Sequence, residues 1–307
     1  MRLHQHEFHA LGGPCGLSFH AEDDAAARVS AAVEAEVRRV ERKYSRYRDD
    51  SVVAAINASA GQADGVLVDA ETAALLDVAA TLHEQSDGRF DATSGVLREV
   101  WDFRSGRLPE PAAVTALLPR IGWSLLRRRR LADGGEQLWL PRPGMALDFG
   151  GFGKEYAADR AAAVLRAEGI RHGLVELGGD ISVVGPHPDG SPWRIGIRHP
   201  RDPARAIAAI DVARGGLATS GDYERCLIVD GRRYGHILDA RTGWPVADGP
   251  ASLSVTAPSC LLAGAVCTLG LLQGARALDW LADCPQPWLA VDAGLGLHGA
   301  LARAEVA

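Results

Sequence analysis

The sequence predicts a mixed α/β fold, a twisted and largely antiparallel sheet with helices packed on its outside. Three observations point there. Two long segments carry apolar residues every three or four positions, the pattern of helices with one buried face. Short apolar or alternating runs bounded by turn residues recur along the rest, the pattern of strands. Two pairs of these runs fold back through turns containing Asp-Gly, which makes them antiparallel hairpins. With 307 residues, 47% apolar and 23% charged, the composition is that of an ordinary globular protein. That length supports one large domain or two intimately packed ones. No repeat and no linker marks a boundary, so a single domain over 1–307 is expected.

The elements follow in chain order. Gly12-Gly-Pro-Cys-Gly-Leu-Ser-Phe-His20 reads as a turn entering a strand. Asp23 or Asp24 caps a long helix with the stripe Val29, Val33, Val37, Val40, Tyr44 and Tyr47. It should dissolve within 46–51. A second helix over about 71–85 turns Leu75, Leu76, Ala79 and Leu82 inward, and Ser86-Asp-Gly88 breaks it. Runs 125–131 and 137–140 form a hairpin about Ala132-Asp-Gly-Gly135. A helix over 156–167 follows a glycine-rich turn. Strands at 173–176 and 181–185 flank Leu177-Gly-Gly-Asp180. Trp193, Ile195 and Ile197 alternate with polar or small residues, as in a half-buried strand. Residues 226–229 and 232–238 make the clearest hairpin, about Asp230-Gly231. Ser259 caps an apolar helix through Gln273, and a short helix and a strand at 288–291 close the chain.

Charge and composition exclude several classes. The net charge of −6 argues against a nucleic-acid partner, because nothing offsets repulsion from phosphates. The basic run Arg127 to Arg130 reads as a solvated strand face. No stretch approaches the ~20 apolar residues of a membrane span. The N-terminus carries no apolar signal core and no lipid-accepting cysteine, so a cytoplasmic protein is expected. The five cysteines, at 15, 226, 260, 267 and 284, lack metal-ligand spacing and read as buried reduced thiols.

The densest chemical signal is Ala146-Leu-Asp-Phe-Gly-Gly-Phe-Gly-Lys-Glu-Tyr156. An apolar strand end reaches Asp148, three glycines follow, and Lys154 opens a helix. Glycines let backbone approach a ligand, and a helix N-terminus offers N–H groups to an anion. Asp148 can accept from a sugar hydroxyl or base amine, and Lys154 can meet a phosphate. It fits neither G-x-G-x-x-G nor the P-loop. A tight strand-to-helix turn with a surface lysine reads equally well. Small residues and a few polar groups also meet at three further junctions. These are Ser45-Arg-Tyr-Arg-Asp-Asp-Ser51 with Asn57, Gly88-Arg-Phe-Asp-Ala-Thr93, and Ser220-Gly-Asp-Tyr223 with Tyr234-Gly-His-Ile-Leu-Asp-Ala-Arg-Thr-Gly243. Together they suggest a site assembled from loops over a scaffold.

In order and content these segments resemble the ApbE family of FAD:protein FMN transferases, from about residue 8 to 290. Six spaced motifs carry the resemblance: Ser45-Arg-Tyr with Asp50-Ser51 and Asn57; Gly88-x-Phe-Asp-x-Thr93; Leu147-Asp-x-Gly-Gly-x-x-Lys154; Leu177-Gly-Gly-Asp180; Thr219-Ser-Gly-Asp-Tyr223; and His236-Ile-x-Asp-x-x-Thr-Gly243. The resemblance implies an ApbE-like fold with an FAD cleft between its layers. It implies Mg2+-dependent transfer of FMN from FAD to a threonine hydroxyl of an acceptor flavoprotein, with release of AMP. Such phosphoryl transfer is positioning plus neutralisation of oxygen charge. By the same resemblance Leu11, Tyr47, Asn57, Phe90, Asp91, Asp148, Lys154 and Ile237 would line the FAD site. Tyr47 and Phe90 offer ring faces to adenine or flavin, or simply pack in the core. His236 is the candidate general base for the acceptor hydroxyl, since an unperturbed imidazole has a pKa of about 6.5; its alternative is a structural hydrogen bond to a nearby carbonyl.

The metal site departs from the family pattern. Relatives carry Asp and Thr four residues apart in the last apolar helix, facing the same side. Here Ala263-Gly-Ala-Val-Cys-Thr268 keeps Thr268 but has Gly264 in place of the carboxylate. The remaining implied metal ligand is the Gly151 carbonyl. Either FAD's pyrophosphate and waters hold the ion, or another carboxylate substitutes, or the protein binds FAD without transferring it. Gly13 and Glu155 also depart, since relatives often have Thr and Gly there. Glu155 either repels phosphate or complements the helix dipole. Three readings therefore stand: a flavin transferase, an FAD pyrophosphatase giving FMN and AMP, and an FAD-binding relative with weak or no transferase activity.

Overall fold

The structure, a computed structural model, describes residues 1–223 and 225–303. It has the mixed α/β architecture expected. Contacts divide the chain into two compact units: Met1–Glu41, Gly150–Tyr223 and Asp248–Ala307 form one, Arg42–Phe149 and Glu224–Ala247 the other.

The first unit is built on an eight-stranded sheet. Its order is Arg2–Ala10, Gly13–Ala21, Gly173–Leu177, Asp180–Gly185, Gly215–Gly221, Ser252–Ala257, Trp288–Val291 and Leu297–His298. Every neighbouring pair is antiparallel. Helices Gly153–Ala167 and Cys260–Leu271 pack on this sheet and against each other. Ala157, Ala158, Ala161 and Ala162 are fully buried on the first of these. Their small side chains let the helix come close to its neighbours. A separate hairpin, Trp193–His199 with Asp202–Val212, contributes Trp193, Ile197, Ile210 and Val212 to a core with Ile181, Val183 and Leu217.

The second unit holds helices Val52–Ala58, Ala70–Gln85 and Pro111–Leu117. It has a three-stranded sheet in the order Val66–Val68, Glu136–Trp139, Arg127–Arg130. Two small hairpins complete it, Cys226–Val229 with Arg232–Gly235 and Leu238–Asp239 with Trp244–Pro245. Val96, Leu97, Trp101, Val114, Leu117 and Leu227 form one buried cluster in it.

Helical periodicity locates its elements well. Val29, Val33, Val37 and Val40 are buried on the Asp23–Tyr44 helix, each worth roughly 1.5–3 kcal/mol relative to exposure. That helix ends at Tyr44, so Tyr47 leaves the stripe and is 81% exposed. Asp23 and Asp24 sit within its first turn, where they complement the dipole. Asp69 and Ser259 cap their helices, accepting from Thr72 N and Leu262 N. Arg128 and Arg130 of the basic run pair with Asp77 and Glu136. Thiols of Cys15, Cys260 and Cys267 are buried, and Cys226 and Cys284 half-buried; all five are free. Among the described residues no single helix is long and apolar enough to cross a membrane.

Several strands are only weakly marked in their sequence. Arg2–Ala10 is an edge strand rich in His, Gln and Glu. Val66–Val68 is short. The first half of Asp202–Val212 is exposed. Gly215–Gly221 is a buried central strand made largely of Gly, Ala, Ser and Thr, so neither alternation nor β-branched enrichment marks it, whereas its neighbour Ser252–Ala257 does alternate polar and apolar residues.

Candidate active site

In the first unit the candidate residues gather around the start of the Gly153–Ala167 helix. Phe152 is its N-cap residue and makes no side-chain cap bond. Lys154, in the first turn, places Nζ 3.1 Å from Asp180 Oδ2. Asp180 is held there by the hairpin Leu177-Gly-Gly-Asp180. Gly178 and Gly179 have φ of 63° and 93°, and Leu177 pairs with Asp180. A two-residue turn with both central residues at positive φ needs glycine or a close substitute. Gly178 N donates to Pro14 O at 3.2 Å, which ties this turn to the one at Leu11 and Gly12.

Leu11 is itself unusual. Its φ is 54°, a left-handed conformation that costs a side-chain-bearing residue roughly 1–2 kcal/mol. Glu41 Oε1 accepts its N–H at 2.6 Å. Backbone held in this way at a turn is the kind of strain found at functional sites.

Glu155 follows Lys154 and turns inward. It is 7% exposed, and its Oε2 has no hydrogen-bond partner among the described residues. Burial first, then the charge of Asp180, push its pKa up to about 8 against the pull of Lys154. Its carboxylate lies against Gly264 of the neighbouring helix. A Cβ at 264 would stand 2.6 Å from both Cγ and Oε1 of Glu155. Thr268 follows one helical turn after Gly264, on the same face. Asp159, one turn after Glu155, accepts from Cys260 N and Leu261 N at 2.9 Å each.

In the second unit five segments converge on Asp148. Asn57 clamps the preceding residue: its Nδ2 donates to Leu147 O at 3.0 Å, and Leu147 N donates to its Oδ1 at 2.7 Å. Asp148 N donates to Ala92 O at 2.8 Å, joining it to the 88–93 loop. Within that loop Asp91 is 4% exposed. It accepts from Thr93 N and Oγ1 through one oxygen and from Trp123 N through the other, so it organises the loop. Phe90 is half-buried, and its carbonyl faces His83 Nδ1 at 3.1 Å.

The Asp148 carboxylate is paired with Arg46, and Arg98 Nε lies 3.5 Å away. Arg46 also donates to Tyr47 Oη at 2.8 Å and stacks over the Tyr47 ring. Burial opposes the Arg46 charge, but Asp148 and Tyr47 outweigh it and raise its pKa. Arg46 lies inside a sequence motif, whereas Arg98 carries no signal. Ala240 N donates to Arg89 O at 2.9 Å, bringing the 236–243 segment to the same loop. His236 is half-buried between strands Arg232–Gly235 and Leu238–Asp239. Ile237 O accepts from Val246 N at 3.4 Å. Gly243, with φ of 73°, packs so closely on Val114, Leu118 and Leu97 that a Cβ would overlap them.

A metal ion is implied at Gly151 and Thr268, and the residues present fit a hard cation. Among the described residues no cluster of three or more His, Cys, Asp or Glu is placed to hold a metal. What the first unit offers is oxygen: the Gly151 carbonyl, the Thr268 hydroxyl and the orphaned buried carboxylate of Glu155. Oxygen donors with few carboxylates suit Mg2+ completed by substrate phosphate.

Comparison with known proteins identifies the family. The ApbE family model matches residues 11–290. A Treponema pallidum protein named FAD:protein FMN transferase is 34% identical over 86% of this chain and 77% of its own length. The Salmonella typhimurium protein of the same name is 33% identical over 71% of this chain, and the match spans 63% of that relative. The crystal structure of an ApbE protein from Thermotoga maritima superposes with a TM-score of 0.85 at 29% identity, covering 97% of both chains. The Pseudomonas stutzeri flavinyl transferase ApbE gives 0.83 at 27%, covering 99% of this chain and 98% of its own. The relatives define one class of enzyme, the flavin transferases. The chain belongs to the ApbE family.

Proposed function

We propose that this protein is an FAD:protein FMN transferase that moves FMN from FAD to a threonine hydroxyl of an acceptor flavoprotein, releasing AMP. The observation that carries this reading is the ordered convergence on Asp148 of the 46–47, 57, 88–93 and 236–243 segments through the hydrogen bonds just described. The relatives' names support the same reaction class.

In this reading Asn57 and Ala92 hold Asp148 in register, and Asp148 with Arg46 receives polar groups of FAD. Tyr47 offers an exposed ring face for stacking. By the family resemblance Phe90, Asp91 and Ile237 of the second unit, and Leu11 of the first, would each contact FAD. Lys154 exchanges its Asp180 partner for a phosphate oxygen. Gly151 and Thr268 would hold Mg2+, which when bound would supply neutralisation of charge on the pyrophosphate. His236 takes the threonine proton as the hydroxyl oxygen bonds to the FMN-side phosphorus. The phosphorus–oxygen bond to AMP breaks, and AMP leaves with the electron pair. The phosphoester then joins FMN to the acceptor.

The test is a nucleotide balance. FAD, Mg2+ and an acceptor domain from a flavinylated redox protein are incubated with the enzyme, and products are separated. Equal amounts of AMP and protein-bound flavin support the transferase. AMP with free FMN marks a pyrophosphatase, and bound FAD without AMP marks a binding protein.

A further inference from the structure

Glu155 and Gly264 occupy one space. The carboxylate comes from the Gly153–Ala167 helix and lies where a side chain at 264 would begin, with Oε1 2.6 Å from the position a Cβ would take. It is buried, and Oε2 has no partner among the described residues. An unpartnered buried carboxylate oxygen is expensive unless a cation or proton meets it. Among the described residues its neighbours compensate it only in part. Lys154 is engaged with Asp180, and both Asp180 and Asp159 bear like charge towards it. Asp159 is already occupied by two backbone N–H groups and the Ser182 hydroxyl. Glu155 is thus the carboxylate left for a cation beside the Gly264 to Thr268 face.

We propose that Glu155 supplies the carboxylate ligand of the Mg2+ site, reaching from the neighbouring helix into the space left open by Gly264. This rests on the transferase reading for the identity of the metal and its neighbours. Glycine at 264 and glutamate at 155 are then two halves of one arrangement: the glycine makes room, and the longer side chain fills it. The ligand set becomes one carboxylate, one carbonyl and one hydroxyl, with phosphate oxygens and water for the remainder. That is an ordinary composition for Mg2+.

The test reads metal binding rather than turnover. Free Mn2+ is followed by electron paramagnetic resonance as MnCl2 is added to the protein, with and without FAD, and MgCl2 is used to displace it. Three proteins are compared: wild type, Glu155→Gln, and the exchange Glu155→Gly with Gly264→Asp. Glutamine keeps the shape and removes the charge, so the fold should persist. The expected result is one displaceable Mn2+ site in the wild type, weakened at least about tenfold by Glu155→Gln and regained by the exchange. Unchanged or tighter binding in Glu155→Gln overturns the proposal, as does a wild type that binds no Mn2+ even with FAD. Flavin transfer is scored separately on the same proteins. Transfer with no metal effect from Glu155→Gln rejects the ligand and leaves the transferase. Metal loss in a protein that never transfers flavin does the reverse.

Discussion

Asp159 caps a helix that it does not belong to: its two carboxylate oxygens receive Cys260 N and Leu261 N at 2.9 Å each. Ser259 Oγ takes the next free donor, Leu262 N. The helix carrying Gly264 and Thr268 is therefore fixed at its start by the helix carrying Lys154 and Glu155. Removing the carboxylate strands two N–H groups, at about 1–3 kcal/mol each. Asp159→Ala should lose about 2–4 kcal/mol in urea denaturation, and Asp159→Asn about half of that. Equal stability for Asp159→Ala would mean that water replaces the cap.

The shared space of Glu155 and Gly264 has a packing consequence of its own. Gly264→Asp alone forces its Cβ to within 2.6 Å of the Glu155 side chain, and overpacking of this kind costs roughly 1–3 kcal/mol. Glu155→Gly should relieve it, giving a favourable coupling in a double-mutant cycle of melting free energies. Additive effects would show that the two side chains do not compete.

Glu155 also makes the metal-free protein sensitive to pH. Its carboxyl ordinarily titrates near 4.5, but burial and Asp180 move it to about 8. A raised folded-state pKa favours the protonated form, so this contribution is complete below about 4.5 and lost as pH rises through about 8. Wild type should lose stability relative to Glu155→Gln between about pH 5 and about pH 9. Parallel stability curves over that range would contradict the buried, only partly compensated carboxyl.

Asn57 should matter through Asp148 and not through direct chemistry. Its side chain makes both hydrogen bonds to Leu147. Asn57→Ala should cost about 1–3 kcal/mol and weaken FAD binding by loosening the strand end before Asp148. Intact FAD affinity with lowered stability would confine Asn57 to the scaffold.

The sequence made some of this legible and hid the rest for physical reasons. The valine stripe from 29 to 40 and the cap at Ser259 are local patterns, and they map onto helices directly. Arg2–Ala10 and Ser252–Ala257 are strands because of their neighbours. The first is too polar to show a core-facing period-two contrast; the second alternates polar and apolar residues, but over only six positions. The motif order located the loops around Asp148, because each junction is short and locally encoded. It did not reveal that Arg46 neutralises Asp148, nor that Asp91 is bound to Thr93 and Trp123. Least visible was the meeting of Glu155 with Gly264. That contact depends on how two alanine- and glycine-rich helices pack, and each residue taken alone reads as a departure from the family pattern.

The most direct measurement is in-gel flavin fluorescence. The protein is incubated with FAD, Mg2+ and an acceptor domain from a flavinylated redox protein, and the mixture is resolved on a denaturing gel. The account predicts a fluorescent acceptor band that depends on both FAD and Mg2+ and is lost on replacing the acceptor's threonine. FAD bound to the enzyme, with a dark acceptor at every Mg2+ concentration, would contradict it.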